Sequence, residues 1–134
     1  MNEHELALQA RVPAGETVII NLHKEAGHRA LVRWAKACGR YVRIDRLGPW
    51  GNPYRIPEDG DRQAVVRRCA EEHLPAHPEL LARLEGGELR GGKVLGCWCA
   101  PPEGLTAESP PGTCHGQVLL AGVRRVTRVG ERTR

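Results

Sequence analysis

Phenylalanine is absent from this sequence, and the other aromatics are sparse: three Trp and two Tyr among 134 residues. A single-domain core must then be built mainly from aliphatic side chains, with a few large indole rings to place. Also missing is any run of about 20 apolar residues, so no helix can span a bilayer and no membrane partner is expected. Met1, Asn2, Glu3, His4 and Glu5 lack the basic start and apolar centre of a secretory leader, and the expected compartment is cytoplasmic. There, five cysteines read as metal ligands, reactive thiols or buried apolar groups before they read as disulfides. Lysine is scarce, confined to Lys24, Lys36 and Lys93 among twenty basic residues. The net charge of +4 is therefore carried by arginine, which suits bidentate contacts with phosphate or carboxylate. It is mild beside the charge of a dedicated nucleic-acid binder. No GxGxxG, P-loop or HExxH motif occurs.

What is present alternates between two periodicities. Residues 17–22, with Thr17, Val18, Ile19 and Ile20, read as a buried strand, and 41–45 and 93–99 read as two more. Between them, Ala26, Ala30, Leu31, Trp34, Ala35 and Cys38 recur at helical spacing over 25–38, closed by Gly39. On this stripe Cys38 reads as a packed thiol, and so does Cys69 on the next helix. That helix is capped by Asp61 and runs to Ala70, Pro75 interrupts it, and Pro78 restarts a helix that runs to Gly86. A last helix is expected from Gly116 to Val123, capped by Thr113 or Cys114. The pattern predicts an α/β fold: a small three-layer Rossmann-like domain with a short, mainly parallel sheet. Residues 1–16 read as an N-terminal extension, 17–126 as the domain, and 127–134 as a basic tail. Sites in such folds lie beyond the carboxyl ends of the strands. Two marked loops follow strands here, one after Ile44 and one after Leu95, so a parallel sheet would bring them to one edge.

The second of these loops carries the strongest signal. Cys97, Cys99, Cys114 and His115 supply three thiolates and an imidazole, a sufficient donor set for tetrahedral zinc. Cys97 and Cys99 are two apart on a strand and share a face, while Trp98 points the other way and can pack. A metal-free alternative makes Cys114 a nucleophile at a helix N-terminus with His115 as its base. Asp45 is a further candidate general base, or a partner for an arginine.

The first loop offers Trp50 to stack on a base, Asn52 to donate or accept through its amide, and Gly51 and Pro53 to shape the turn. Arg46 and Arg62 flank it, with Arg43 and Arg55, and together they suit an anion such as phosphate. The expected ligand-binding set is therefore Arg46, Trp50, Gly51, Asn52, Pro53 and Arg62, and the expected partner is a nucleotide or nucleic acid.

These same residues carry a resemblance. Tyr41 to Arg46, Trp50-Gly51-Asn52-Pro53-Tyr54, Leu95 to Pro101 with its Cys97-Trp98-Cys99 core, and Cys114-His115-Gly116 together resemble a bacterial and phage domain of unknown function, the family numbered forty-three twenty-six. The resemblance spans residues 18–123, with a longer loop between the two cysteine elements than is typical. It implies the fold and the site positions and names no reaction; the family's occurrence in phages points to nucleotide or DNA metabolism. Three readings follow. One is a zinc-containing domain that binds a nucleotide, or hydrolyses or transfers at one if the metal keeps an open position. The others are a metal-free thiol enzyme and a non-enzymatic accessory module.

Overall fold

The computed structural model describes residues 1–121. At its centre lie three parallel strands, β1 (Val18–Asn21), β2 (Tyr41–Arg43) and β3 (Val94–Cys97), in the order β1-β3-β2. Val94 pairs with Val18 on one side and Tyr41 on the other, so the strand formed last in the chain is the middle of the sheet. Parallel neighbours need crossovers, and helices supply them. α2 (Arg29–Ala37) connects β1 to β2, and α3 (Arg62–Arg68, continued by a π-helical turn over Cys69–His73) and α4 (Pro78–Glu85) connect β2 to β3, while α1 (Glu3–Arg11) precedes the sheet and α5, at 115–121, follows it.

Strand alternation divides the core. Val18, Ile20 and Val94 face α1 and α2, where Leu8, Val12, Leu31 and Ala35 close over them. Ile19, Leu95 and Cys97 face the other way, into a second core with Trp50, Leu80, Leu84, Leu119 and Cys114. Both faces of β1 and β3 are buried, as a parallel sheet requires, and the expected three-layer α/β arrangement is the one found. The absent phenylalanine is made good by aliphatics and by Trp50, which is 3 % exposed.

The local signals worked as expected at several ends. Asp61 accepts from the Ala64 backbone N–H at 2.9 Å, and Pro78 occupies the first turn of α4. Elsewhere tertiary contacts override periodicity. The helix expected over 25–38 is broken: a short 3-10 turn at Lys24–Ala26 ends at Gly27 (φ 77°), and α2 begins only at Arg29. The break lets His28 turn inward, where it is fully buried. Cys38, expected to pack on the stripe, is exposed because α2 ends one residue before it. The last two residues of the expected final helix and the basic tail lie outside the described residues.

Residues 1–16 carry a helix with a specific structural role. Asn2 and Glu5 form a capping box at the start of α1. The other oxygen of the Glu5 carboxylate accepts from the Leu31 backbone N–H at 2.7 Å. One buried carboxylate therefore caps two helices, and it stands in for the side-chain cap that His28 does not give to α2.

Candidate functional site

The carboxyl edge of the sheet is organised by Asn21, the last residue of β1. Its side-chain amide donates to the carbonyls of Ala100 (2.7 Å) and Trp98 (3.4 Å), and its backbone N–H donates to His28 Nδ1 at 2.9 Å. His28 Nδ1 is thus an acceptor, and Nε2–H donates to the Pro102 carbonyl at 2.6 Å. The two side chains grip the chain as it leaves β3. Farther along, Leu105 exchanges both backbone hydrogen bonds with Ile19, which brings the long loop back beside β1 and returns it to Cys114.

Cys114 is the N-terminal cap of α5. Its Sγ accepts from the Gly116 N–H at 3.3 Å, while Gln117 Oε1 reaches back to the N–H groups of Thr113 (2.8 Å) and Cys114 (3.1 Å). This is a capping box with sulfur in the hydroxyl's place. Gly116 is required there: a Cβ would meet Ile44 Cδ1 at 2.8 Å and Ile19 Cδ1 at 2.9 Å.

The three thiols of this edge meet. Cys97 Sγ lies 3.2 Å from Cys114 Sγ and 3.7 Å from Cys99 Sγ, and all three sulfurs fall within 4.8 Å of one another. Among the described residues they are the group of donors close enough to share one ion. His115, expected as the fourth ligand, stands beside the group and not within it. Its Nδ1 is 3.9 Å from Cys114 Sγ, and its Nε2–H donates to the Ile44 carbonyl at 2.7 Å. Burial holds its pKa below the ordinary imidazole value, so the ring is neutral with the Nδ1 lone pair turned toward sulfur.

Without a metal the three thiols differ in how readily they ionise. Hydrogen bonds from Cys114 and Cys97 hold the Cys99 thiol down at about 4, helped by the Arg62 charge and the His115 backbone N–H. Cys97 is pulled down by Cys114, but its bond to Cys99 and its burial push it up to about 11. Cys114 is raised by its bonds to both neighbouring sulfurs and by burial. The expected nucleophile therefore sits at the expected helix end with its thiol held protonated. The thiol that ionises readily is Cys99, which is also the most accessible of the three.

A cavity of about 520 Å³ opens over this cluster. The loop after β2, the start of α3, the Cys97–Cys99 segment and the start of α5 all line it, so the two marked loops do converge. Its charged side chains are Arg43, Arg46, Arg62 and Asp45. Each arginine is anchored through part of its guanidinium. Arg43 Nε donates to Asp45 at 2.8 Å, Arg46 donates to the carbonyls of Asn52 and Tyr54, and Arg62 Nη1 donates to the Thr113 carbonyl at 3.1 Å. Asp45 is held below its ordinary value first by this bond from Arg43, and also by the Trp98 indole N–H at 2.8 Å. It is a stable carboxylate in an ion pair, a poor general base.

The first loop is placed differently from expectation. Trp50, expected to stack on a ligand, is packed in the core with the Arg83 guanidinium 5.0 Å over its ring. It is absent from the cavity wall, as are Gly51 and Pro53. Gly51 is there for space, since a Cβ would lie 2.6 Å from Arg46 Cα. Asn52 borders the cavity, but its amide is engaged within the protein: Nδ2 donates to the Val65 carbonyl at 2.9 Å, and Oδ1 accepts from the Tyr54 N–H at 3.0 Å. It ties the loop to α3. The aromatic on the cavity wall is instead Trp98, expected to pack yet 53 % exposed, together with Tyr54. β3 ends at Cys97, so Trp98 lies just beyond the strand, where it lines the cavity. Asn21 and His28 carried no motif; their only trace in the sequence was a polar residue ending an apolar strand and a His after a Gly in a broken helical stripe.

No curated protein and no solved structure matches the chain. Over residues 27–125, which include every cavity-lining residue named above, it matches the family described as a domain of unknown function (DUF4326), and the chain belongs to that family.

Proposed function

We propose that Cys97, Cys99 and Cys114 hold a zinc ion and that the cavity above them binds a phosphate-bearing ligand of nucleotide size. The observation that carries the reading is three thiols meeting at the floor of an arginine-walled cavity. A tetrahedral zinc with bonds of about 2.3 Å to sulfur sets its sulfurs about 3.8 Å apart. The observed 3.2 and 3.7 Å lie close enough for small side-chain rotations to reach that spacing. A bound dication would release the protons of the other two thiols, since zinc takes its sulfur ligands as thiolates.

His115 supplies the fourth position. With Nε2–H committed to the Ile44 carbonyl, only Nδ1 is free to coordinate, and that backbone bond would orient the ring as carbonyl partners orient metal-bound imidazoles. Four protein ligands make a structural site, so the ion's part is to knit α5 to β3 and hold the cavity floor. Arg43, Arg46 and Arg62 outnumber the one carboxylate, itself paired, and favour an anion.

The test is metal content by elemental mass spectrometry on protein purified without chelator, with thiols counted before and after chelation. The reading expects about one zinc per chain and three thiols that appear only on chelation. Metal-free protein in which the cluster thiols show no change on chelation overturns it. If Cys99 is then the one cluster thiol that alkylates fast at neutral pH, beside the exposed Cys38, the thiol-enzyme reading takes over, with Cys99 in the place expected of Cys114.

A further inference from the structure

We infer that Trp98 is the base-recognition element of the cavity, so that the ligand is a nucleobase carrying a phosphate and not a simple phosphate or sugar phosphate. This rests on the anion-binding reading of the same cavity.

A Trp at 53 % exposure leaves a large apolar surface in water, and only particular surroundings hold it in one place. Trp98 has them. Its indole N–H donates to Asp45 Oδ2 at 2.8 Å. Asp45 is held in turn by Arg43 Nε at 2.8 Å and by the Leu47 N–H at 3.3 Å. The Trp98 carbonyl accepts from the Asn21 amide at 3.4 Å, and the His23 ring stands perpendicular to the indole at 6.2 Å between centroids. The backbone on either side belongs to Cys97 and Cys99. A ring fixed through its polar edge, with much of its surface bare beside a cavity, is built as a stacking platform.

The surroundings specify the rest of the ligand. A cavity of about 520 Å³ is in the range that takes one small organic ligand. Arg62, with donors beyond the one spent on Thr113, lines the same cavity and can take the phosphate while the base lies on Trp98. Tyr54 adds apolar wall, with Arg68 stacked 4.1 Å over its ring. The wall offers few neutral donors or acceptors to read a base edge, since the Asn52 amide is spent on Val65 and Tyr54. Stacking tolerates every base, so discrimination among bases should be weak.

Calorimetric titration decides this with inorganic phosphate, ribose 5-phosphate, the four nucleoside 5′-monophosphates and a single-stranded octanucleotide. The proteins are wild type, Trp98→Ala and Trp98→Phe, each with its melting temperature. In wild type the nucleotides should bind roughly tenfold or more tighter than ribose 5-phosphate, with small differences among bases. Trp98→Ala should erase that gap while ribose 5-phosphate binds as before, and Trp98→Phe should keep most of it. A strand that binds tighter than the mononucleotides supports the inference and assigns the base to nucleic acid; equal or weaker binding supports it and assigns a free nucleotide. Equal binding of sugar phosphate and nucleotide in wild type overturns the stacking role and leaves the anion site standing. A gap that survives Trp98→Ala overturns it as well. If neither phosphate nor any phosphate ester binds, the anion-site reading itself fails and takes this inference with it.

Discussion

The two faces of the sheet solve the same packing problem to different ends. On the α1/α2 face, Val18, Ile20 and Val94 are sealed by aliphatic side chains, and the one charged group drawn inside, Glu5, is fully used as a double helix cap. On the opposite face the apolar layer of Ile19 and Leu95 gives way toward the strand ends to Cys97, Cys114 and His115, and the helices part to leave a cavity. The first face spends its polar groups on closure. The second holds thiols, a neutral imidazole and arginines at an opening. Folding alone accounts for the first arrangement, and it gives no reason for the second.

That contrast can be broken or sharpened by substitution. The largest effect is expected at Cys97, which is buried at the centre of the thiol cluster. Cys97→Ala should abolish zinc retention and cost about 3 kcal/mol or more in denaturant unfolding; a variant that keeps stoichiometric zinc would show that the ligand set is wrong. Glu5→Ala should cost about 2 kcal/mol, since two backbone donors lose their acceptor, while zinc content stays unchanged. Zinc loss in that variant would mean that the two faces are coupled.

Asn52→Ala comes next, at about 1 kcal/mol, because the Tyr54 N–H loses its acceptor and the Val65 carbonyl keeps only its helical bond from the Cys69 N–H. The drop belongs in melting temperature and not in phosphate affinity; the reverse result would return Asn52 to the ligand set.

A smaller effect follows acid. The Asp45 pKa lies below its ordinary 3.8 in the folded protein, so its stabilisation is fully present above that range and fades as pH falls through the lower folded value. Arg43 is 43 % exposed, so solvent screens the pair and the effect is small. The melting-temperature difference between wild type and Asp45→Asn should shrink in acid, and a difference independent of pH would remove the ion pair as its source.

The smallest effect is expected at Cys38. Cys38→Ser should shift stability by less than about 0.5 kcal/mol, because the side chain is exposed. In the native protein Cys38 should alkylate readily. Burial pushes Cys69 up to about 11, and that thiol should react only on unfolding.

Much of this was legible beforehand, for identifiable reasons. The β-branched run at Val18, the short apolar stretch at Val94, the Asp61 cap and Pro78 are local signals, and each marks its element in the structure. The Cys97–Cys99 spacing pointed to thiols that meet, and they do, although β3 ends at Cys97 and Cys99 lies in the loop beyond it. The roles of the tryptophans were less accessible, because periodicity tells which way a side chain points and not whether anything lies there. Trp50 points into a space filled by α4 and its neighbours, and Trp98 lies beyond the end of β3 and stays 53 % exposed. Arginines near the loop were legible as charge, but their anchoring to carbonyls several residues away was not.

By itself, then, the sequence determined the α/β class, the parallel sheet, the strand-end location of the cysteine elements and the family, since each rests on short-range spacing or on a contiguous motif. Tertiary structure alone decided that Glu5 caps a helix 26 residues away, that Asn21 and His28 hold the loop after β3, and that Cys99 carries the charge of the thiol cluster. It also exchanged the parts expected of Trp50 and Trp98. All of these depend on which distant groups share a buried space, where desolvation and a single hydrogen bond outweigh any local preference.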